Sequence, residues 1–311
     1  MSEAMRDTFG KALAEAGKTN KKLVVLDADV SSSTKTSYFA KAFPQRFFNC
    51  GVSEGNMAGV AAGLATAGYH PVINSFAIFL VDKAFDQIRH DFCYNHLPLV
   101  IAGAYGGLSD SFDGPSHQSI ADIAMLRALP NLEVIVPSDS PQANLALEYA
   151  LGRDCPVYIR LNRNAFPELT VQKGFSQKQP ILLRSGKDVS IAANGITVHA
   201  ALEAANLLEK DGIDTEIFSV PFLKPLDVSP LAASVKKTGK LVTTEEHNIL
   251  GGAGSAILEQ LVKGKGLCGT FSYLPIGIED CFGDTGPYDT LLAAFGLDAN
   301  GIASKVKAFV K

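Results

Sequence analysis

Runs of consecutive apolar residues, four or five positions long, recur through the first half of the chain between segments with helical spacing. They are Leu23-Val24-Val25-Leu26, Phe47 to Cys50, Pro71-Val72-Ile73-Asn74, Leu99-Val100-Ile101-Ala102, Glu133-Val134-Ile135-Val136 and Pro156-Val157-Tyr158-Ile159-Arg160. Unbroken apolarity, rather than strict alternation, predicts strands buried on both faces. An amphipathic helix precedes the first run. Helices are expected after Glu54, over 81–92, from about Ser119 and over 141–151. Strands alternating with helices predict βαβ units and a mostly parallel, doubly wound sheet. From Asn164 to Gly186 the pattern gives way to Pro, Gln, Lys and Gly. A second series follows, with strands over 189–192, 215–218 and 241–244 and helices over 198–209 and 253–262; it is smaller, with fewer polar residues at strand ends. The expected fold is therefore α/β: two consecutive open, mostly parallel doubly wound domains, 1–165 and 187–311, joined by a linker over 166–186.

Composition narrows the class. At 311 residues with 47% hydrophobic and 19% charged positions, the chain can bury two cores and leaves little room for disorder. The net charge of −4 comes without a basic stripe, so neither nucleic acid nor a membrane surface is expected as a partner. Cys50, Cys93, Cys155, Cys268 and Cys281 are odd in number and widely spaced, which predicts reduced thiols in a cytoplasmic setting. No pair has metal-ligand spacing, the first fifteen residues lack the apolar core of a signal peptide, and no run approaches the ~20 apolar residues of a membrane span.

In doubly wound sheets, chemistry gathers outside the carboxyl ends of the strands. Asp29, Glu54, the loop 103–118 and the pair Arg160 and Arg163 all fall just after expected strands. Glu54 stands at the mouth of a helix made almost wholly of small residues, Ala58 to Leu64. It either complements the helix dipole behind a Ser53 cap or is an enclosed carboxylate that needs a partner. Asp113-Gly114-Pro115-Ser116-His117-Gln118 is a turn signal, and it also delivers a histidine able to exchange protons near neutral pH. Phe76 and Phe79, one helical turn apart, suit core packing or a platform for a flat ring. Arg160 and Arg163 suit solvent or a bidentate grip on an anion. Gly251-Gly252-Ala253-Gly254 lacks the third glycine of a dinucleotide fingerprint, so close helix packing is the better account.

Taken together, Val52-Ser53-Glu54-Gly55-Asn56-Met57, Ser75-Phe76-Ala77-Ile78-Phe79, Asp86-Gln87-Ile88-Arg89, Asp113 to Gln118, Leu126 to Asn131, Tyr158 to Arg163 and Glu245-Glu246-His247-Asn248 resemble the C-terminal half of transketolase over nearly the whole chain. The resemblance is in particular to split forms, whose cofactor-binding halves are separate polypeptides. It implies a pyrimidine-binding domain followed by a transketolase C-terminal domain, with thiamine diphosphate as cofactor. It also carries roles over. Glu54 matches the glutamate that hydrogen-bonds the 1′-nitrogen of the aminopyrimidine, a charge-assisted contact worth roughly 1.5–3 kcal/mol. Phe76 matches the ring that stacks on the pyrimidine, Phe79 lines the same pocket, and Asp29 is the acidic residue near the cofactor. His117 and Asp113 match the pair facing the sugar hydroxyls, His117 also as a catalytic residue. Arg163 matches a phosphate-gripping arginine, with Arg160 and Ser33 at the same anionic end.

Departures from the pattern point to the substrate half. Gly55 replaces the glutamine common in split forms, Tyr105 stands where transketolases usually carry a substrate histidine, and Asp110-Ser111-Phe112 replaces small and acidic residues. A ketose donor other than xylulose 5-phosphate, such as a branched (apulose-type) or sulfonated sugar, is the expectation. The Gly-Asp-Gly motif of the diphosphate-binding domain has no counterpart; Gly283-Asp284-Thr285-Gly286 lacks its third-position glycine. The resemblance therefore implies an N-terminal, diphosphate-binding partner subunit that holds Mg2+ or another divalent metal, two copies of each chain, and sugar phosphate substrates. A beta subunit of a 2-oxo-acid dehydrogenase and a non-catalytic regulatory subunit with a degenerate site are the alternative readings, and a deoxyxylulose-phosphate synthase is a more distant one.

Overall fold

The structure, a computed structural model, describes residues 3–169, 175, 178–263 and 270–311. Its first sheet takes parallel strands β1 (Leu23–Asp27), β2 (Phe47–Asn49), β3 (His70–Phe76), β4 (Leu99–Ala104), β5 (Glu133–Ile135) and β6 (Pro156–Arg160). Between them run α1 (Met5–Thr19), α2 (Ser31–Thr34), α3 (Ser37–Ala42), α4 (Glu54–Thr66), α5 (Ala77–Gln87), α6 (Asp122–Arg127) and α7 (Ser140–Leu151). Helices cover both faces, so β1, β4 and β6 are buried at every position, as their unbroken apolarity requires. The helix expected over 81–92 is two elements, α5 and a π-helical stretch Ile88–Tyr94, and the one expected from Ser119 begins at Asp122.

The strand order is β2-β1-β3-β4-β6-β5. The chain leaves β1 for β2 on one side and returns to β3 on the other, which opens a crevice between the carboxyl ends of β1 and β3. Such switch points are where open α/β sheets place ligands. Glu54 and Tyr105 follow strands at this edge, and Phe76 ends β3 there.

The second sheet, in the order β12-β11-β8-β9-β7, uses β7 (Ile181–Arg184), β8 (Val189–Ala193) and β9 (Thr215–Ser219). It passes over β10 (Phe222–Lys224) to include β11 (Lys240–Asn248) and β12 (Ser272–Ile278). Its helices are α8 (Thr197–Lys210), α9 (Ser229–Thr238), α10 (Ala253–Lys263), α11 (Tyr288–Ala294) and α12 (Ala299–Val310). Two features depart from the sequence reading. β7 lies inside the stretch expected as linker and forms an antiparallel edge on β9, while 170–174, 176 and 177 lie outside the described residues. β10, from the second half of the chain, returns to the first sheet and pairs antiparallel with β5. Polar flanks hid β7, and the three residues of β10 are too few to show a period.

The second sheet is also richer in polar strand ends than expected. β11 runs on through Glu245, Glu246 and His247, all buried. Glu246 accepts hydrogen bonds from the Leu108 amide at 2.8 Å, the Tyr288 hydroxyl at 2.8 Å and Asn162 Nδ2 at 3.2 Å. The C-terminal domain thus holds the loop that follows β4. Gly107, at φ 68°, makes this approach possible, because a Cβ there would lie 2.3 Å from the Glu246 carboxyl carbon. Gly107→Ala is therefore expected to lose about 2 kcal/mol or more through clash and left-handed strain, lowering the thermal unfolding midpoint by roughly 5 °C. An unchanged midpoint in a melting curve would refute this clamp.

Candidate active site

At the crevice of the first sheet, α4 begins with Glu54 after the left-handed turn at Gly51. Ser53 occupies the N-cap position but makes no side-chain capping bond. Glu54 is 2% exposed. One oxygen, Oε1, accepts from Ser75 Oγ at 3.3 Å; the other, Oε2, is buried with no hydrogen-bond partner. Lys83 Nζ approaches Oε2 to 3.3 Å without hydrogen-bond geometry. A buried carboxylate oxygen left without a donor is costly unless a ligand completes it. Glu54 is enclosed, and as the acidic residue of the first turn of α4 it also complements the helix dipole, without a capping bond from Ser53.

Gly55 has a packing reason. A Cβ there would meet the Lys83 carbonyl at 3.2 Å and Gln87 Oε1 at 3.5 Å, so its absence lets α4 sit close on α5.

Aromatic rings line the next stretch of the crevice. Phe76 ends β3 and Phe79 lies in the first turn of α5, their rings stacked at 6.0 Å and 26°. Tyr105, at φ 60° just past β4, meets Phe76 at 4.4 Å, and His117 packs edge-on to Phe79 at 5.0 Å. Lys83 Nζ sits 4.4 Å over the Phe79 ring. The structure therefore brings Glu54, Phe76, Phe79, Tyr105 and His117 into one continuous wall. Ser116 Oγ bonds His117 Nδ1 at 2.9 Å, while Asp113 is exposed on the same loop.

Charged groups flank Tyr105. The Arg163 guanidinium lies 5.2 Å from its ring centroid and bonds Asp110 Oδ1 at 3.0 Å. From α1, Arg6 donates to the Tyr105 hydroxyl and, at 3.2 Å, to the Ser33 carbonyl. Ser33 joins the site through this backbone contact. Asp29, exposed and at φ 66°, accepts from Asn49 Nδ2 at 2.8 Å and is tied to the strand leading to Glu54. The buried acid at this strand end is Asp27, whose carboxylate is taken up by the Val30 amide and the hydroxyls of Thr34 and Thr36.

Arg160 does not belong to the substrate wall. It is 5% exposed, and its donors are committed: Nε to Asp122 Oδ2 at 2.8 Å, Nη2 to Asp122 Oδ1 at 3.1 Å and to the Ser119 carbonyl at 2.7 Å, and Nη1 to the Glu246 carbonyl at 3.0 Å. Its position at a strand mouth was legible, but the side chain turns to the domain boundary instead of the crevice. There it fills the switch point of the second sheet, leaving beside Asn194 and Glu246 a cavity of only about 10 Å3. Burial would raise the Asp122 pKa, yet Arg160 and then His247 hold it below the usual carboxylate range. Burial pushes Glu246 up to about 7 and His247 down to about 4.

The Gly251-Gly252-Ala253-Gly254 turn does not cradle a free anion. Glu245 already accepts from the amides of Ala253 and Gly254, at 2.5 and 2.9 Å. The 283–286 segment docks on the Asp113 loop, its Asp284 carbonyl accepting from Gln118 Nε2 at 2.8 Å. Three further residues reach the site. Lys83 follows Phe79 by four positions on one helical face, a spacing the sequence did offer. Asp110 was visible as a departure but carried no partner in the sequence. Arg6 had no sequence signal, since only the packing of α1 beside the crevice brings it there.

A two-sheet α/β chain, with an unsatisfied carboxylate and an aromatic wall at the first switch point, is the class of protein that this fold and site define. The family model "Transketolase, pyrimidine binding domain" matches residues 2–168, and "Transketolase, C-terminal domain" matches 179–302. A protein of Methanocaldococcus jannaschii named as a transketolase C-terminal section is 39% identical over 99% of this chain and 97% of its own length. The 6-deoxy-6-sulfo-D-fructose transketolase subunit SqwH of a Clostridium species is 36% identical over 96% of this chain and 92% of its own. A 1-deoxy-D-xylulose-5-phosphate synthase of Geobacter sulfurreducens is 38% identical over 97% of this chain, which spans only 47% of that enzyme. A solved structure described as a split gene transketolase, inactive beta4 tetramer, superposes with a TM-score of 0.87 at 42% identity, covering 99% of this chain and 98% of that one. The chain belongs to the transketolase family and corresponds to its pyrimidine-binding and C-terminal domains. That family implies thiamine diphosphate and, in general, transfer of ketol groups. Among the described residues, no helix is long and apolar enough to cross a membrane.

Proposed function

We propose that this chain is one subunit of a two-subunit, thiamine diphosphate-dependent transketolase, moving a two-carbon ketol unit from a ketose donor to an aldose phosphate. The observation that carries the reading is the buried Oε2 of Glu54, which has no hydrogen-bond partner and lies 3.3 Å from the Lys83 ammonium that covers Phe79. Its need for a donor fits a protonated ring nitrogen, and the apolar wall beside it fits a flat heterocycle. Glu54 and Phe76, with Phe79 and Asp29 at its edges, would hold the pyrimidine end. The cofactor, when bound, supplies the carbon that takes up the ketol unit. Glu54 holds the charge that sets the protonation of the aminopyrimidine, and the apolar rings exclude water from it. His117 and Asp113 bind the sugar hydroxyls, His117 exchanging protons there, and Arg163 with Ser33 lies toward the far end of the sugar.

A diphosphate-binding partner subunit would complete the site and hold the divalent metal, in an assembly of two copies of each chain. Full-length similarity to a C-terminal section and to a split-gene structure supports this division. Tyr105, in place of a substrate histidine, supports a donor other than xylulose 5-phosphate, and similarity to a sulfofructose transketolase subunit points the same way.

The test is co-expression with a diphosphate-domain subunit, addition of thiamine diphosphate and magnesium, and a screen of ketose donors against aldose acceptors. Ketol transfer from a modified ketose supports the proposal, and activity confined to xylulose 5-phosphate and ribose 5-phosphate sinks the substrate part. Release of CO2 from pyruvate without ketol transfer would move the reading to the synthase branch. Tyr105→His is expected to shift donor preference toward xylulose 5-phosphate by tenfold or more in kcat/KM, a change of about 1.4 kcal/mol.

A further inference from the structure

Three consecutive amides follow Tyr105, and each is held from a different direction. The Gly106 amide donates to the Leu161 carbonyl at 2.9 Å, the Gly107 amide to the Ser119 carbonyl at 2.9 Å, and the buried Leu108 amide to Glu246 Oε1 at 2.8 Å. The first two acceptors are backbone groups of the pyrimidine-binding domain. The third is a carboxylate delivered by β11 of the C-terminal domain, from the string Glu245-Glu246-His247-Asn248, to which ketol transfer has so far given no task. The same domain grips the loop twice more, through the bond from Gln118 Nε2 to the Asp284 carbonyl and through the Gly286 amide, which donates to the Ser111 carbonyl at 3.1 Å.

Tyr105 needs such support. Its φ of 60° lies in the left-handed region that a bulky residue rarely adopts, and a backbone of this kind persists only where its surroundings over-determine it. In that conformation its ring stands 4.4 Å from Phe76 and 5.2 Å from the Arg163 guanidinium, and its hydroxyl takes the Arg6 bond. Glu246 is a firm anchor for it. The Tyr288 hydroxyl donates to Oε1 at 2.8 Å, Asn162 Nδ2 to Oε2 at 3.2 Å and Arg160 Nη1 to its carbonyl at 3.0 Å. A buried carboxylate so engaged cannot turn to other partners without leaving these groups unpaired.

We infer that Glu246 is a positioning residue for ketol transfer: from the C-terminal domain it holds the Leu108 amide and thereby keeps Tyr105 turned into the crevice beside Phe76. The inference rests on the transketolase reading and deepens it. It gives the C-terminal domain a part in the reaction, although Glu54, Phe76, Phe79, Tyr105 and His117 all belong to the first domain. Glu246 touches neither cofactor nor sugar; it acts through the two residues that separate Leu108 from Tyr105.

The experiment is run at pH 8, where the Glu246 carboxyl, pushed up to about 7 by burial, is mostly ionised. Hydrogen exchange of the 104–112 segment is followed in the reconstituted two-subunit complex, alongside ketol transfer per thiamine diphosphate bound. In Glu246→Ala this segment should exchange roughly tenfold faster or more, while α12 keeps its wild-type rate. The kcat/KM for the donor ketose should fall about tenfold or more with a raised KM, and half-saturation by thiamine diphosphate should stay within about threefold. Glu246→Asp keeps the charge but draws the oxygens back from Leu108 by one methylene, so it should shift exchange and KM in the same direction if the alanine variant does not fold. Tyr105→Phe supplies the cross-check: it should cost several-fold in the wild type and little in the Glu246 variants, because a ring already displaced has less to lose. Unchanged exchange over 104–112, or losses that simply add in the double variant, would overturn the inference. A complex inactive with every donor would defeat the transketolase reading, and the exchange rates alone would then decide whether Glu246 holds the loop.

Discussion

Glu54→Ala is expected to reduce ketol transfer by the reconstituted complex at least 1000-fold while leaving the fold intact. The carboxylate has one weak hydrogen bond, and its other oxygen meets only the half-exposed Lys83 ammonium without hydrogen-bond geometry, so the folded chain supports it weakly. A charge-assisted bond to a cofactor nitrogen accounts for roughly 1.5–3 kcal/mol, and control of a proton transfer for a further 10² to 10⁴ in rate. Together these exceed the thousandfold threshold. Glu54→Gln keeps the shape and removes the charge, so it should lose nearly as much if charge is what matters. Stability should move the other way. Removing a buried carboxylate with an unsatisfied oxygen relieves a desolvation cost, and Lys83, half exposed, can turn to solvent. Melting midpoints equal to or above the wild type, with turnover lost and thiamine diphosphate binding weakened in titration calorimetry, are the expected pattern. Full turnover in Glu54→Ala would remove the carboxylate from the mechanism.

That pattern separates the part of the site the sequence could carry from the part it could not. Strands β1, β3, β4 and β6 were legible because burial on both faces leaves an unbroken apolar run, and a parallel order then puts every following loop at one edge. Glu54, Phe76, Tyr105 and His117 converge for that reason alone. Their side-chain directions were not legible. Arg160 and Arg163 are three positions apart after the same strand, yet one is 5% exposed at the domain boundary while the other reaches Tyr105. The difference is set by Asp122 and Glu246, one on a helix of the first domain and the other more than eighty residues away in the second. β10 was invisible for a related cause, since three residues show no period and their pairing with β5 depends on how the two domains meet. Gly107 could be read only as part of a glycine-rich loop, because the reason for it is the Glu246 carboxyl group of the other domain.

Arg160→Ala is expected to destabilise the chain by about 3–5 kcal/mol, the usual cost of removing one partner of a buried ion pair. The loss leaves Asp122, fully enclosed, with the Tyr158 hydroxyl at 2.5 Å and His247 at 4.0 Å among the described residues. His247 is pushed down to about 4 by burial, so it is neutral at pH 7 and cannot replace the guanidinium. The Glu246 carbonyl loses its Arg160 donor at the same time and the Ser119 carbonyl keeps the Gly107 amide alone, which loosens the contact between the domains. A drop of roughly 10 °C in melting midpoint is expected, against a smaller one for Arg163→Ala, whose side chain is 40% exposed although its loss takes a donor from the buried Asp110. Activity should separate the two in the opposite sense. Arg163→Ala should raise KM for charged sugars in a folded complex, whereas Arg160→Ala should lose activity only as far as it loses folded protein. The double variant Arg160→Met with Asp122→Leu removes both charges and should recover part of the stability lost in Arg160→Ala, because no unpaired charge stays buried while the Tyr158 hydroxyl and the Glu246 carbonyl still lack their partners. If Arg160→Ala instead melts like the wild type and raises KM for sugar phosphates, the arginine belongs to the substrate wall after all and the domain boundary is held by other contacts.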